Sequence, residues 1–287
     1  MTRVRGAYRW TDCGYLGGYR IQAHHREKMV RLLNPRGGIV CSGTYEDCRR
    51  ELVQIAEREQ LKRTTGTAIV LLHGLARNAW SMGSMERFLK RSRPAAEVFS
   101  FQYASTTASI TRHAQHLIRF LESVQQAEEV HFVGHSLGNI VLRRAFRMAE
   151  QGEWTLPRLG KHVMLGPPNQ GSQIARKLTF ITPLRWFNGP SFLQLGRDWP
   201  TFEQELAPPP CPYGIIAGRL SPLDRAHLLL DGPNDVLVTV EETKLPGASD
   251  FSEMNVGHAW MMNSRRVQRA VDCFFRTAQF TPIDSTE

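Results

Sequence analysis

The sequence predicts an α/β protein in which helices flank a mainly parallel β-sheet. Strand-like and helix-like segments alternate from Thr67 onward, which is typical of βαβ units. The first of these strands, Ala68–Leu72, is continuously apolar, as expected when helices cover both faces of a sheet. The chain has 287 residues, of which 41% are hydrophobic and 22% charged, and this is enough for one large buried core.

The first 63 residues follow a different pattern, which predicts a small antiparallel sheet with one helix. Turn residues at Asn34–Gly38 separate short strand-like runs over Tyr19–Ala23, Met29–Leu33 and Ile39–Cys41. Thr44 to Asp47 then resembles a capping box, and apolar residues follow it at helical spacing. We find no chemistry here and interpret residues 1–63 as a docking or stabilising module, beside a larger domain over residues 64–287.

The larger domain continues the alternation to its end. Periodicity predicts helices over Ser84–Arg91, Ile110–Val124, Asn139–Met148 and Val267–Phe275. Strands are predicted over Val98–Tyr103, Glu129–Val133, Lys161–Leu165, Tyr213–Ala217 and Val236–Val240. Residues 172–210 interrupt the pattern with prolines and aromatic residues, and we interpret them as a cap-like insertion.

The motif Gly134-His135-Ser136-Leu137-Gly138 stands between a predicted strand and a predicted helix. A G-x-S-x-G nucleophile elbow requires this setting, because its serine sits on a strained strand-to-helix turn. The flanking glycines let neighbouring backbone approach closely. The motif predicts that Ser136 is a catalytic nucleophile.

A serine hydroxyl is a weak nucleophile and needs a neighbouring base. Three histidines follow Ser136 in the chain. His162 lies within a predicted strand, where a structural role is expected, and His227 offers a less suitable partner. His258 lies in a loop before the last helix, from which it can reach the serine. We therefore predict His258 as the base.

The base in turn needs an acid that orients it. Asp235 leads directly into the predicted strand Val236–Val240, 23 residues before His258. Asp231 is a close rival, and Asp224 is a weaker candidate that would pair with His227. The sequence favours Asp235 over both.

A loop for an oxyanion hole follows the first strand of the larger domain at His73-Gly74-Leu75. The Leu75 amide and the Leu137 amide at the start of the helix are the expected donors to a tetrahedral oxyanion. We expect His73 to orient this loop and not to transfer a proton.

Five ordered motifs together resemble the α/β-hydrolase superfamily, and within it the lipase branch, which includes bacterial triacylglycerol lipases and GPI inositol-deacylase-like esterases. They are Leu71–Leu75, Gly134–Asn139, Gly166–Ser172, Asn234–Val238 and Gly257-His258. The resemblance covers about residues 66–278 and implies an α/β-hydrolase fold and an acyl-serine mechanism without metal or cofactor. It implies Ser136 as nucleophile, Asp235 as acid, His258 as base, and Leu75 and Leu137 as oxyanion donors. Val236 departs from the family, which often has glycine after the aspartate.

These features predict a serine esterase or lipase that cleaves carboxylic esters. An acyltransferase using the same acyl-serine and a catalytically silent binding protein are the alternatives. An acyl pocket is expected from four apolar side chains, although the same residues would equally suit ordinary packing: Trp80, Met82, Trp186 and Phe187.

The formal net charge of +9 raises the question of a nucleic-acid partner. Arginines such as Arg143, Arg144 and Arg147 lie opposite apolar positions of a predicted helix, so we interpret them as a solvated face and expect no nucleic acid. A basic surface still favours an anionic substrate or peripheral contact with an anionic membrane. No obligate protein partner can be inferred.

The location of the protein is predicted from two further features. The longest apolar run is the length of a strand, and the first residues lack the apolar segment of a signal peptide. The five cysteines are odd in number and lack metal-ligand spacing, so they are expected to be reduced. Both features favour a cytoplasmic protein.

Overall fold

The computed structural model describes residues 7–25, 28–180, 189–220 and 230–280. The N-terminal part forms a separate antiparallel sheet of four strands in sequential order. They are β1 (Trp10–Leu16), β2 (Tyr19–His24), β3 (Val30–Leu33) and β4 (Ile39–Gly43). Helix α1 (Tyr45–Glu59) begins with the predicted capping box, in which the Asp47 N–H donates to Thr44 Oγ1 at 3.2 Å. A boundary at residue 63 stays a prediction.

The larger part is built on a six-stranded sheet that is parallel throughout, where the sequence predicted a mainly parallel one. Its strands are β5 (Thr67–Leu72), β6 (Glu97–Phe101), β7 (Glu129–His135), β8 (Leu159–Leu165), β9 (Tyr213–Gly218) and β10 (Asp250–Met254). Their spatial order is β10-β9-β8-β7-β5-β6, so β5 and β7 are both interior strands. Carboxyl ends of parallel strands share one edge, and ligands of open α/β sheets bind outside that edge.

Helices cover both faces of this sheet. Successive side chains of a strand point to opposite faces, so a strand can contact helices on both sides. Ile69 and Leu71 of β5 pack in a cluster with α2 (Gly83–Ser92) and α9 (Arg265–Thr277). Ala68 and Val70 pack on the other side with α3 (Ile110–Leu121) and α4 (Leu137–Glu150). The continuous apolar run of β5 is therefore explained by burial on both faces.

Two strands were missed from the sequence, and one predicted strand is wrong. The missed β1 carries Asp12 and a bulge, and β10 is a polar, half-exposed edge strand. Residues Val236–Val240 form no strand. The Asp235 carboxylate accepts the Leu237 and Val238 N–H groups, and Thr239 caps the short helix α8 (Val240–Thr243). These side-chain hydrogen bonds replace the partners that a strand would need.

The described part of the 172–210 insertion packs onto the larger domain. It contains α5 (Gln173–Phe180), α6 (Pro190–Leu195) and α7 (Trp199–Phe202). Phe192, Trp199 and Phe202 are buried in the same cluster as α3 and α4, so these aromatic side chains are core residues.

Arg143 corrects the interpretation of the α4 arginines as a solvated face. Its side chain is buried, and its guanidinium donates to the carbonyls of Ala207 and Asn169 at 3.3 and 3.1 Å. Burial lowers its pKa to about 10. Arg143 thus ties α4 to the loop after β8 and to the end of the insertion.

No helix in the described ranges is long and apolar enough to span a lipid bilayer. All five cysteines, each within those ranges, are free thiols.

Candidate active site

Ser136 lies at the sharp turn between β7 and α4, at the carboxyl edge of the sheet. Its backbone has φ +52° and ψ −121°, which residues other than glycine rarely adopt. Its N–H donates to the Leu165 carbonyl of β8 at 2.9 Å, and its carbonyl accepts the Asn139 N–H at 3.1 Å. The sequence motif therefore forms the strained, half-exposed turn that it predicts.

Asn139, to which the sequence analysis gave no role, fastens this turn. Its Nδ2 donates to the carbonyls of Gly134 and Ser136 at 3.1 and 3.2 Å, and its Oδ1 accepts from His162 Nε2 at 3.1 Å. Burial lowers the pKa of His162 to about 3, so the ring is neutral and can donate in this way. The structural interpretation of His162 is confirmed. The sequence offered one signal for this role: an asparagine directly after the elbow motif, in a stretch of helix that is otherwise apolar.

Asp235 and His258 form a buried pair. Their Oδ2 and Nδ1 atoms are 2.7 Å apart, and the side chains are 0% and 5% exposed. Asp235 Oδ1 accepts the backbone N–H groups of Leu237 and Val238 at 3.0 and 2.8 Å, and the His258 N–H donates to the Asp235 carbonyl at 2.9 Å. With its proton on Nδ1, His258 keeps a lone pair on Nε2, as a general base requires.

The backbone conformation at Val236 shows how valine occupies a position where the family often has glycine. Its φ is +93°, a conformation that favours glycine and is strained for a β-branched residue. The turn exists because Asn234 Oδ1 accepts the Val236 N–H at 3.0 Å while Asp235 accepts the next two N–H groups. The position therefore keeps the backbone that glycine would adopt, at the expense of local strain.

Two residues near the elbow lie directly against His258. His135, directly before Ser136, donates from Nε2 to the His258 carbonyl at 2.9 Å, and the two rings are 4.7 Å apart. Burial, followed by the His258 charge, lowers the pKa of His135 well below its ordinary value, so the ring is neutral. Gly166 has φ +51°, and a Cβ there would lie 3.0 Å from His258 Nδ1. His258 therefore contacts the residue that directly precedes Ser136 in the chain.

The predicted oxyanion loop packs on the same turn. A Cβ on Gly74 would lie 3.2 Å from Ser136 Cβ, so the loop could not come this close with a larger residue. Leu75 follows Gly74, and Leu137 opens α4, where N–H groups lack helical partners. Within the described ranges neither of these two N–H groups donates to another protein group. In the described part of the chain, both N–H groups are thus available beside the elbow.

His73 is a fixed support for this loop. Its Nδ1 donates to the Gly74 carbonyl at 2.9 Å, and its Nε2 accepts the Tyr103 N–H at 3.4 Å. The ring stacks on Tyr103, whose hydroxyl donates to the His73 carbonyl. Burial lowers the pKa of His73 to about 4. With both ring nitrogens engaged, His73 has the orienting role that was expected of it.

A groove of about 590 Å³ opens beside the oxyanion loop. Trp80 lines it and is 47% exposed, whereas Met82 is fully buried in the core against α2 and α9 and does not reach it. The other two residues predicted for an acyl pocket, Trp186 and Phe187, lie outside the described residues.

The rival acid and base differ in their surroundings. Asp231 is exposed and pairs with Lys177 at 3.3 Å, away from any histidine contact among the described residues. Asp224 and His227 lie outside the described ranges. Over those ranges, no three His, Cys, Asp or Glu side chains are grouped as a metal ion would need.

The sequence matches the profile of the alpha/beta hydrolase family over residues 69–272. No curated protein matches it. Among solved structures, the mature lipase BlEst2 of Bacillus licheniformis is similar with a TM-score of 0.58 and 18% identity, over 74% of this chain and 91% of that one. The product of gene lin2722 of Listeria innocua has a TM-score of 0.50 and 20% identity, over 74% and 94% of the two chains.

At these identities the two structures establish a shared fold alone. The family profile reaches further, because it spans well over half of the chain and includes the elbow, the acid turn and the histidine loop. On this evidence the protein belongs to the alpha/beta hydrolase family.

Proposed function

We propose that this protein is a serine hydrolase that cleaves carboxylic esters through an acyl-serine intermediate. One observation carries the proposal: a fully buried carboxylate holds the Nδ1 proton of His258, and the His258 carbonyl accepts from His135, which directly precedes a serine on a strained turn. Burying a carboxylate costs free energy unless it is paired and hydrogen-bonded, and backbone strain adds about 1–3 kcal/mol. A domain that only binds would gain nothing from either feature.

The proposed reaction has two steps. Ser136 Oγ attacks the ester carbonyl while His258 Nε2 takes its proton, and the N–H groups of Leu75 and Leu137 stabilise the oxyanion. His258 then gives the proton to the departing alkoxide, which leaves as the alcohol. Water, activated by the same Nε2, hydrolyses the acyl-serine and regenerates Ser136. Asp235 keeps its charge throughout and stabilises the imidazolium that forms.

Covalent labelling by a fluorophosphonate is the direct test. Wild-type protein should lose its reactive serine to the reagent, Ser136→Ala should not react, and His258→Ala should react far more slowly. Ser105→Ala serves as the matched control, because Ser105 is a buried serine distant in sequence from the elbow. Labelling that persists in Ser136→Ala would sink the assignment of the nucleophile, and folded wild type that never reacts would favour the silent binding protein.

The exposed apolar side chains near the site bear on the substrate class. Trp80 and Leu237 line the groove, and the turn that carries Trp80 contacts the turn that carries Trp260, which is 67% exposed. Clustered exposed apolar residues mark binding surfaces. These side chains support a substrate whose acyl chain is of medium length or longer. They would also suit contact with a lipid surface. Rates with p-nitrophenyl esters of increasing chain length, in solution and on anionic vesicles, separate an esterase from a lipase.

A further inference from the structure

The groove beside the oxyanion loop combines an apolar wall with a cation. Leu75, Trp80 and Leu237 supply the apolar surface, and Arg77 is the charged residue of the lining. Its lining includes Leu75, which carries a proposed oxyanion donor, and Leu237, which follows Asp235 by two residues in the chain. Because Leu75 both lines the groove and carries a proposed oxyanion donor, a ligand group in the groove would adjoin an ester bound at Ser136.

The Arg77 side chain has no protein partner in the part of the chain that the structure describes. Its backbone N–H donates to the Gly74 carbonyl at 3.3 Å, which fixes the turn, but its guanidinium forms neither an ion pair nor a hydrogen bond there. Half-buried arginines elsewhere are paired: Arg93 with Asp272 at 2.8 Å and Arg144 with Glu205 at 3.3 Å. A half-buried guanidinium offers five donors that an anion can satisfy.

The charge of Arg77 acts on the elbow. Burial is the main reason that the pKa of His135 lies so low, the His258 charge comes next, and the Arg77 charge adds to the effect. Arg77 also contributes, after burial, to the low pKa of His73. The guanidinium therefore lies within electrostatic reach of both supports of the proposed oxyanion hole.

We propose that this groove binds an anionic group of the ester substrate, a carboxylate or a phosphate, through Arg77. The proposal rests on the proposed function for the nature of the substrate. The guanidinium would take the anion through paired N–H donors, while Trp80 and Leu237 contact the adjoining hydrocarbon. The net charge of +9 favours the approach of such substrates.

The test compares matched ester pairs that differ in charge. One pair is p-nitrophenyl valerate against mono-p-nitrophenyl glutarate, and a second pair carries a phosphate or no charge on the alcohol. We expect the ratio of kcat/KM for anionic over neutral ester to fall about ten- to a hundredfold in Arg77→Ala. Arg77→Lys should retain part of it. Arg87→Ala is the control, because Arg87 is exposed on α2 and lines no part of the groove.

Binding to Ser136→Ala separates this proposal from the proposed function, since it requires no turnover. Titration with the same esters should give tighter binding of the anionic member, and Arg77→Ala in that background should abolish the difference. Equal binding of both members, or an equal loss in Arg87→Ala, would overturn the assignment of Arg77. If binding is selective but Ser136 never reacts, the ester chemistry fails and the anion site stands.

A separate set of contacts gives a role to the N-terminal sheet. Asp12 of β1 is fully buried, and its N–H donates to the Gln102 carbonyl at 2.8 Å while its Oδ2 accepts the Gln102 N–H at 2.9 Å. Gln22 Nε2 donates to Asp12 Oδ1 at 2.7 Å, which fixes the carboxylate. Gln102 Oε1 accepts the Ala79 N–H at 2.9 Å. Ala79 closes the loop that starts at Gly74.

We infer that Asp12 and Gln102 are positioning residues for the oxyanion loop, so that the N-terminal sheet is part of what holds the active site in register. Gln102→Met keeps the side-chain volume but removes the acceptor of the Ala79 N–H. Displacement of an oxyanion donor should lower kcat about ten- to a hundredfold with a smaller change in KM. Asp12→Ala should act in the same direction.

Ser123→Ala is the matched control, because Ser123 Oγ accepts the Tyr15 N–H at 2.9 Å at the far end of β1. This substitution removes a hydrogen bond of the same sheet but changes no contact of the oxyanion loop. We expect it to lower the melting temperature while kcat stays at the wild-type value. A Gln102→Met variant that loses stability but keeps kcat would overturn the inference, and so would a Ser123→Ala variant with the same kcat loss.

Discussion

Asp235→Asn is the substitution that most directly tests the chemistry. The amide has nearly the same shape as the carboxylate, so its effect depends on which atom faces His258. Asp235 Oδ1 accepts two backbone N–H groups, from Leu237 at 3.0 Å and from Val238 at 2.8 Å. An amide nitrogen in that place would face two donors, so the amide oxygen takes it and the NH₂ group faces His258 Nδ1.

That orientation reverses the proton on the ring. The introduced amide would donate to Nδ1, the His258 proton would move to Nε2, and Nε2 could no longer accept the serine proton. The equivalent change in a serine protease triad costs about ten-thousandfold in kcat. The flipped amide would restore the tautomer but leave the Leu237 and Val238 N–H groups without their acceptor, which costs about 1–3 kcal/mol for the buried Val238 group alone. Residual activity is therefore limited to about 3% or less, since about 2 kcal/mol corresponds to roughly thirtyfold.

The assay is the initial rate with a short p-nitrophenyl ester, together with the rate of fluorophosphonate labelling and a thermal melt. We expect both rates to fall at least about thirtyfold with little change in melting temperature. Asp231→Asn is the control, because Asp231 is an exposed aspartate four residues earlier that pairs only with Lys177 in the described ranges. Asp235→Asn activity within tenfold of wild type would refute the tautomer argument, and a larger loss in Asp231→Asn would reassign the acid.

The remaining predictions concern stability and the packing of the elbow. Val236→Gly should stabilise the fold by about 1 kcal/mol in chemical denaturation because it relieves a φ of +93°, and a gain no larger than that of Val236→Ala would speak against strain there. Gly134→Ala should abolish labelling, because its Cβ would lie 2.0 Å from Asn139 Oδ1, whereas Gly66→Ala would meet only the Ala95 carbonyl at 3.9 Å and should retain it. Acidification from about pH 6.5 to about pH 4 should destabilise the protein, because four buried histidines protonate near pH 6.5 when unfolded but resist protonation when folded. Each of them should lower the free energy of unfolding by about 1 kcal/mol near pH 5.5. A free energy of unfolding in urea that stays constant over this range would contradict the prediction. The histidines concerned have pKa values lowered by burial to about 4 for His73 and His116 and to about 3 for His113 and His162.

Much of this molecule was determined by local sequence. The parallel sheet follows from continuous apolar strands between amphipathic helices, and the elbow follows from glycines that only a tight strand-to-helix turn requires. The capping box at Thr44 forms as predicted, because its hydrogen bonds join residues three apart. Patterns of this kind are readable because their partners are close in the chain.

One prediction failed because of local side-chain hydrogen bonds, and another failed because of a tertiary partner. Val236–Val240 has the composition of a strand, but hydrogen bonds to Asp235 and Thr239 turn it into a loop and a helix. Arg143 has the spacing of a solvated residue, but its guanidinium is satisfied by carbonyls 26 and 64 positions away.

The sequence by itself determined the fold class, the elbow and the candidate residues of the site. Only the tertiary structure decided which aspartate meets His258, that Met82 is core while Trp80 borders a groove, and that Asp12 reaches the oxyanion loop through Gln102. The physical reason is that periodicity and capping act over a few residues, whereas burial and the pairing of side chains depend on segments that only folding brings together.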